Sequence, residues 1–441
     1  MHRHHFPRRR ALALALGLTI GTPSQGASLE AQIDRLAERL ESRVIEHRRH
    51  FHQYPELSNR EVNTAARVAD TLRELGYSVE TGIAHTGVVG VLVGGQPGPV
   101  VALRADMDAL PVTEEVDLPF RSTARSRYDG QEVGVMHACG HDAHMAILLG
   151  VAEIAASLQD QWPGTLKLIF QPAEEGAPKG EEGGAALMVK EGVLSQAPKP
   201  AVIFGLHALS LFETGQLGTR AQGLMASSDS LEILVKGRQT HGAVPWGGID
   251  PIVVSAQIIN ALQTIPSRQM DATQAPVIVT IGRIDGGVRG NIIPDQVRMV
   301  GTLRALDEAM RADLHRRVRL TAESIAAAAG ATVEVRIGEG TPYPVTYNDP
   351  ALTRQMQPTL QRVAGAGYFE ARPIMGAEDF SYFQREIPGL YLFLGVRDPK
   401  ADPAEYPANH SPRFRIDESA LRLGVRALAH LARDYAGGQA P

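Results

Sequence analysis

Residues Thr165–Gly176 read TLKLIFQPAEEG, and this stretch decides the fold. An alternating apolar run, LKLIF, passes directly into a turn in which Pro172 and Gly176 flank two adjacent carboxylates, Glu174 and Glu175. A short apolar run closed by Pro and Gly is a strand signal. Two neighbouring carboxylates in a tight turn cannot point the same way, so one can ligate a cation while the other faces a substrate.

Around it, further apolar runs alternate with helical patterns: VVGVLVG, VVALRADM, the helix following His141, a helix near Gly184–Gly192, and AVIFGLH. That alternation predicts an α/β fold with a mostly parallel sheet. Upstream, Leu29, Ile33, Leu36, Leu40 and Val44 fall at helical spacing, so one amphipathic helix is expected to end before Tyr54-Pro55. From about Ala221 the pattern changes to strand LEILVKG, a helix opened by Asp250-Pro251, strands PVIVTIGRI and QVRMVGTLRA, a helix carrying Met310 to Ile325, and strand ATVEVRIG. The order β-α-β-β-α-β is that of a split βαβ, ferredoxin-like α+β unit. The expected organisation is residues 27–220 and 340–441 forming one catalytic domain, with 221–339 inserted as a satellite or lid.

At 441 residues, two domains suit the length. A net charge of −5, with both signs dispersed, gives neither a basic stripe for nucleic acid nor an acidic tail. Small molecules and other subunits are the expected partners. MHRHHFPRRR followed by ALALALGLTI and the small residues Ser24 and Gly26 has the form of a signal peptide over residues 1–26, implying a periplasmic or secreted protein. Arg8, Arg9 and Arg10 leave general and twin-arginine export both open. Beyond that segment no run reaches the ~20 apolar residues of a membrane span.

The chain's single cysteine lies in MHACGHDAHM, Met136–Met145, among three histidines. It cannot form an internal disulfide, so it is a buried spectator, an oxidisable thiol or a protected ligand. Cys139 and His141 stand just before a helical pattern that Asp142 is placed to cap, and a thiolate with an imidazole suits zinc, with manganese or cobalt as alternatives. A buried cysteine beside a capping aspartate explains the pair alone equally well. The metal reading gains when AVIFGLH is seen to end on His207 and NHSPRF to put His410 in a turn after the strand YLFLGV. In a parallel sheet such strand ends open onto one edge. Asp106 and Asp108 can orient the ligands through hydrogen bonds or cap the turn before Pro111.

In order, RADMDALP, HACGHDAH, FQPAEEG, GLHA, GAEDFSYF and NHSP resemble the M20 metallopeptidases, in particular the amidohydrolase branch acting on hippurate, N-acyl and indoleacetyl amino acids. The resemblance implies that Cys139, His141, Glu175, His207 and His410 hold two divalent ions, most readily zinc, and that Glu174 is the general base. It further implies that His241, in KGRQTHGAVPWGGIDP, steadies the oxyanion, often in a neighbouring subunit's site, with Asn291 and Trp246 as substrate contacts and the inserted domain as the homo-oligomer interface. Trp246 stands where the common pattern has another histidine, a departure that bears on specificity. The implied substrates are N-acyl or N-aroyl amino acids, extending to bulky aromatic amides such as ochratoxin A. A di- or carboxypeptidase with the same metals is the first alternative, and a periplasmic binding protein the second.

Overall fold

The strand predicted at LKLIF spans Pro163–Gln171 and lies inside an eight-stranded sheet. Four of its strands run parallel side by side, in the order Pro163–Gln171, Gln96–Asp106, Val202–Glu213 and Gly389–Arg397. Antiparallel neighbours extend it on both sides: Gly87–Val93 and then Ser78–Ile83 on one, Leu217–Thr219 on the other. The structure is a computed structural model that describes residues 1–2, 27–340 and 342–438. The expected signal peptide lies almost wholly outside the described residues. Among those described, no helix is long and apolar enough to cross a membrane.

Both faces of the parallel strands are covered, which explains their continuous apolar sequences. Leu103, Ala105, Leu168, Phe204 and Leu392 point to a core shared with the helices His141–Ser157 and Ala420–Ala436. The intervening Ala102, Ile169, Ile203, Tyr391 and Phe393 point to the opposite core, with Met188, Phe380 and Phe383. Period-two alternation thus feeds two cores from one set of strands.

A second sheet, of four antiparallel strands, takes its members from residues 229–337, in the order Val277–Asp285, Gln296–Ala305, Asp229–Lys236 and Thr332–Ile337. Helices Pro251–Leu262 and Glu308–Ala328 bury Val254, Ile258, Leu314 and Val318 against Leu231, Ile233 and Val235. The other face carries ion pairs such as Glu232 with Arg298. Asp250 caps the first helix by accepting from Ile252 N at 2.9 Å, as its place before Pro251 predicts.

Three local expectations need correction. The opening helix is two, Leu29–Arg39 and Glu41–Gln53, parted at Leu40. His207 does not end its strand, which pairs with Gly389–Arg397 on to Glu213 and so holds His207 opposite Phe393. Asp142 does not cap its helix. Gly140 occupies the N-cap, and the Asp142 carboxylate turns inward to Arg48 Nε and His52 Nδ1, each at 2.8 Å. A buried guanidinium and imidazole outcompete a local backbone cap for that carboxylate, since charge-assisted hydrogen bonds are the stronger kind.

Candidate metal centre

The sheet's C-terminal edge assembles the site from four places. The turn after Pro163–Gln171 presents Glu174 and Glu175, and Ala173 enters it at φ +52°, a conformation that non-glycine residues rarely adopt. Asp108, two residues beyond the strand Gln96–Asp106, holds that turn by accepting the backbone N–H of Glu174 and of Glu175, both at 3.0 Å. Cys139 and His141 flank Gly140, whose φ of +98° makes the sharp entry into helix His141–Ser157. A side chain there would also meet Ala208 Cβ at 3.2 Å, so glycine is required twice over. His410 reaches in from the loop after Gly389–Arg397, also with positive φ, +70°. Strained residues of this kind collect where a site demands a particular direction.

Cys139 Sγ lies 3.5 Å from His207 Nε2 and 3.2 Å from His410 Nε2, and His410 Nε2 lies 3.2 Å from Glu175 Oε1. His141 Nε2 is 3.9 Å from both Glu174 Oε2 and Glu175 Oε1. Two ligand groups therefore share one sulfur: Cys139, His141 and His207, and Cys139, Glu175 and His410. All five residues that the family resemblance implies as ligands come together.

The ring orientations favour cation binding. His141 donates Nδ1–H to the carbonyl of Asp108 at 2.8 Å, which leaves Nε2 buried without a hydrogen-bond partner. His207 likewise bonds the Ala208 carbonyl through Nδ1, at 3.1 Å, and presents Nε2 to Cys139. Second nitrogens anchored on carbonyls are the usual means of aiming metal-binding imidazoles. His144, on the same helix, differs: Nδ1 meets Asp106 at 2.6 Å and Nε2 accepts from Ala208 N at 2.8 Å, so both nitrogens are spent.

Electrostatics agree. Burial works against a charge on His141, yet Asp106, Asp108 and Glu175 push its pKa up to about 10: the pocket draws in positive charge. Burial, then the nearby Glu378 and Glu175, raises the Glu174 carboxyl well above the usual carboxylate range. That is the direction a general base needs. Its Oε1 accepts from Asp379 N at 3.4 Å. Behind it the fully buried Arg104 ties Asp106 at 2.7 Å to Glu378 and Asp379, each at 2.9 Å. Glu378 and Asp379 thus sit behind Glu174, held by Arg104, a placement their spacing in the sequence did not reveal.

The ligand set opens into a cavity of about 630 Å³ whose walls also include Leu209, Met225, Ile374, Tyr343, Ser228 and Arg304. Arg304 comes from the small sheet, in strand Gln296–Ala305. Its Nη1 donates to Ser228 Oγ, and among the described residues no carboxylate lies within 4 Å of it. The sequence reading missed all three polar residues. The one available signal was an arginine set among the apolar positions of GTLRAL.

His241, Asn291 and Trp246 do not line this cavity within the chain. His241 pairs with Ile292 in a two-stranded ribbon, and the Asn291 carbonyl accepts Gly242 N at 2.8 Å, so these two neighbour each other on the small-sheet side. His241 Nδ1 accepts from Ala243 N at 3.0 Å. Trp246 is 80% exposed in the turn Pro245–Gly247. Within one chain the Trp246 ring faces solvent and does not meet the cavity where a bulky aromatic substrate would sit.

Comparison with known proteins agrees with this geometry. The chain is 44% identical over 394 residues to thermostable carboxypeptidase 1 of Saccharolobus solfataricus, covering 89% of this chain and 95% of the relative. It is 37% identical over 382 residues to the N-acetyl-L-cysteine deacetylase of Bacillus subtilis, covering 87% and 85%. Its fold matches the crystal structure of the Bacillus subtilis YXEP protein, described as a dinuclear metal binding peptidase from the M20 family, with a TM-score of 0.74 and 33% identity over 91% of this chain and 99% of that one. Residues 102–434 match the family described as Peptidase family M20/M25/M40. The chain belongs to that family and is a metal-dependent hydrolase.

Proposed function

We propose that the protein is an amidohydrolase that cleaves N-acyl or N-aroyl amino acids into a carboxylic acid and a free amino acid. The observation that carries this reading is Arg304, which among the described residues has no carboxylate partner and lines the same cavity as Cys139, Glu175, His207, His410 and Glu174. A guanidinium there matches the α-carboxylate beside the scissile amide. Cys139, His141, Glu175, His207 and His410 would hold two divalent cations, zinc before manganese or cobalt, which polarise the amide carbonyl and acidify water. Glu174, steadied by the Asp379 N–H, takes the proton of the attacking water and returns it to the departing amine. His241 would assist from a neighbouring copy docked through the small sheet. The basic and apolar N-terminus supports export.

The 44% identical carboxypeptidase favours a second reading, cleavage of a C-terminal residue from a peptide, which Arg304 serves equally well. A substrate panel on chelated and metal-reconstituted protein separates them. Chelation is expected to abolish turnover and Zn²⁺, Mn²⁺ or Co²⁺ to restore it, with N-acyl amino acids cleaved faster than unblocked dipeptides. Faster dipeptide turnover would select the carboxypeptidase, and full activity in metal-free protein would sink both.

A further inference from the structure

The chain crosses between its two sheets twice, and the crossings lie side by side. Gln222–Met225 on the outward path pairs with Thr346–Asn348 on the return. Closer to the small sheet, Ser228 N–H donates to the Tyr343 carbonyl at 2.8 Å, and Tyr343 N–H donates back to the Ser228 carbonyl at 2.9 Å. Both side chains line the cavity and each makes one further link. Ser228 Oγ accepts from the Arg304 guanidinium, while the Tyr343 hydroxyl donates to the main-chain carbonyl of Glu174. The phenol is buried among carboxylates and stays protonated, hence a donor.

We propose that Ser228 and Tyr343 are positioning residues that couple capture of the substrate carboxylate by Arg304 to the placement of Glu174. This rests on the reading of Arg304 given above. The connection is continuous: guanidinium to Ser228 hydroxyl, Ser228 to Tyr343 through the reciprocal backbone pair, Tyr343 hydroxyl to Glu174. It is also held firmly at its flanks. Ser227 N–H donates to the Ala305 carbonyl at 2.8 Å, Asp229 binds Arg311 at 2.7 and 2.8 Å, and the Tyr382 hydroxyl donates to the Pro342 carbonyl. A shift of Arg304 onto a carboxylate therefore has a stiff route to the turn that Asp108 holds from its other side. Double-mutant cycles measure such coupling directly.

The test uses the metal-loaded enzyme with an N-acyl amino acid and with the same compound as its carboxamide. Wild type should strongly prefer the acid. Tyr343→Phe, which keeps the ring, should lower kcat on the acid about tenfold with little change in KM, the scale of one lost hydrogen bond. On the carboxamide it should have a much smaller effect. Ser228→Ala should behave alike, with metal content and melting temperature unchanged in both variants. In the cycle with Arg304→Met, the combined loss should be well below the product of the single losses. Equal losses on both substrates, or losses that simply multiply, would overturn the coupling and leave the function of Arg304 intact. A wild type that cleaves acid and carboxamide equally well would remove Arg304 from carboxylate recognition, and with it both the reading and the coupling.

Discussion

The edge of the large sheet and the ribbon of the small one both carry residues expected at the active centre, and the fold treats them oppositely. Cys139, Glu174, Glu175, His207 and His410, from segments spread along the sequence, close around one cavity, and the buried His141 comes within reach of the same ligand atoms. His241 and Asn291 meet each other but not that cavity, and Trp246 faces solvent. Parallel strand ends converge because the sheet aligns them. A ribbon outside that sheet has no such alignment.

The sharpest way to break this comparison acts on the large-sheet side. Glu174→Gln should retain metal and fold yet lose about 10²–10⁴-fold in kcat, the range of a missing general base. Glu175→Gln should lose metal first, with activity partly restored by excess ion. Metal analysis beside turnover decides, and a Glu174→Gln protein short of metal would exchange the two roles.

On the ribbon, His241→Ala should lower kcat by about 10²-fold, the effect of one oxyanion donor, with a smaller change in KM. If the donor comes from a neighbouring copy, mixing His241→Ala with Glu174→Gln chains should recover part of the activity, because one mixed site then holds both groups. An unchanged kcat would leave the ribbon with no part in the chemistry.

A smaller effect concerns stability on the large-sheet side. His52 is fully buried, with Nδ1 2.8 Å from Asp142 and Nε2 3.0 Å from Glu114. Burial and Arg48 work against its charge, but the two carboxylates prevail and its pKa is raised. A raised folded pKa stabilises fully below the unfolded value of about 6.5 and is lost as pH climbs through the folded value. The melting-temperature advantage of wild type over His52→Gln should therefore shrink as pH rises above about 6.5. An advantage that grew over that range would contradict the imidazolium.

How much was legible follows from the range of the interactions. Period-two and helical patterns marked the central strands and the β-α-β-β-α-β order, because strand and helix faces are written locally. Cys139, His141 and Glu175 were legible because they sit at a helix start or just past a strand end whose Pro and Gly residues punctuate the sequence, whereas His207 was read at a strand end and lies within its strand. Asp142 misled because its partners, Arg48 and His52, lie on another helix. Arg304 and Tyr343 escaped because their meaning comes only from the cavity that they share with Glu174, a contact between distant segments.

The helix Ala420–Ala436 fills the large-sheet core, where Leu421, Val425, Leu428 and Leu431 join residues as early as Ile33 and Val68. The core of the small sheet is drawn entirely from Leu231 to Ile337. Synthesis from the N-terminus therefore completes the two in the reverse of their starting order. The small sheet has all its parts while the ribosome is still making the segment that closes the large one. Until that last helix arrives, the apolar strands of the catalytic layer have only part of their cover, and this interval is when the nascent chain is most exposed to aggregation.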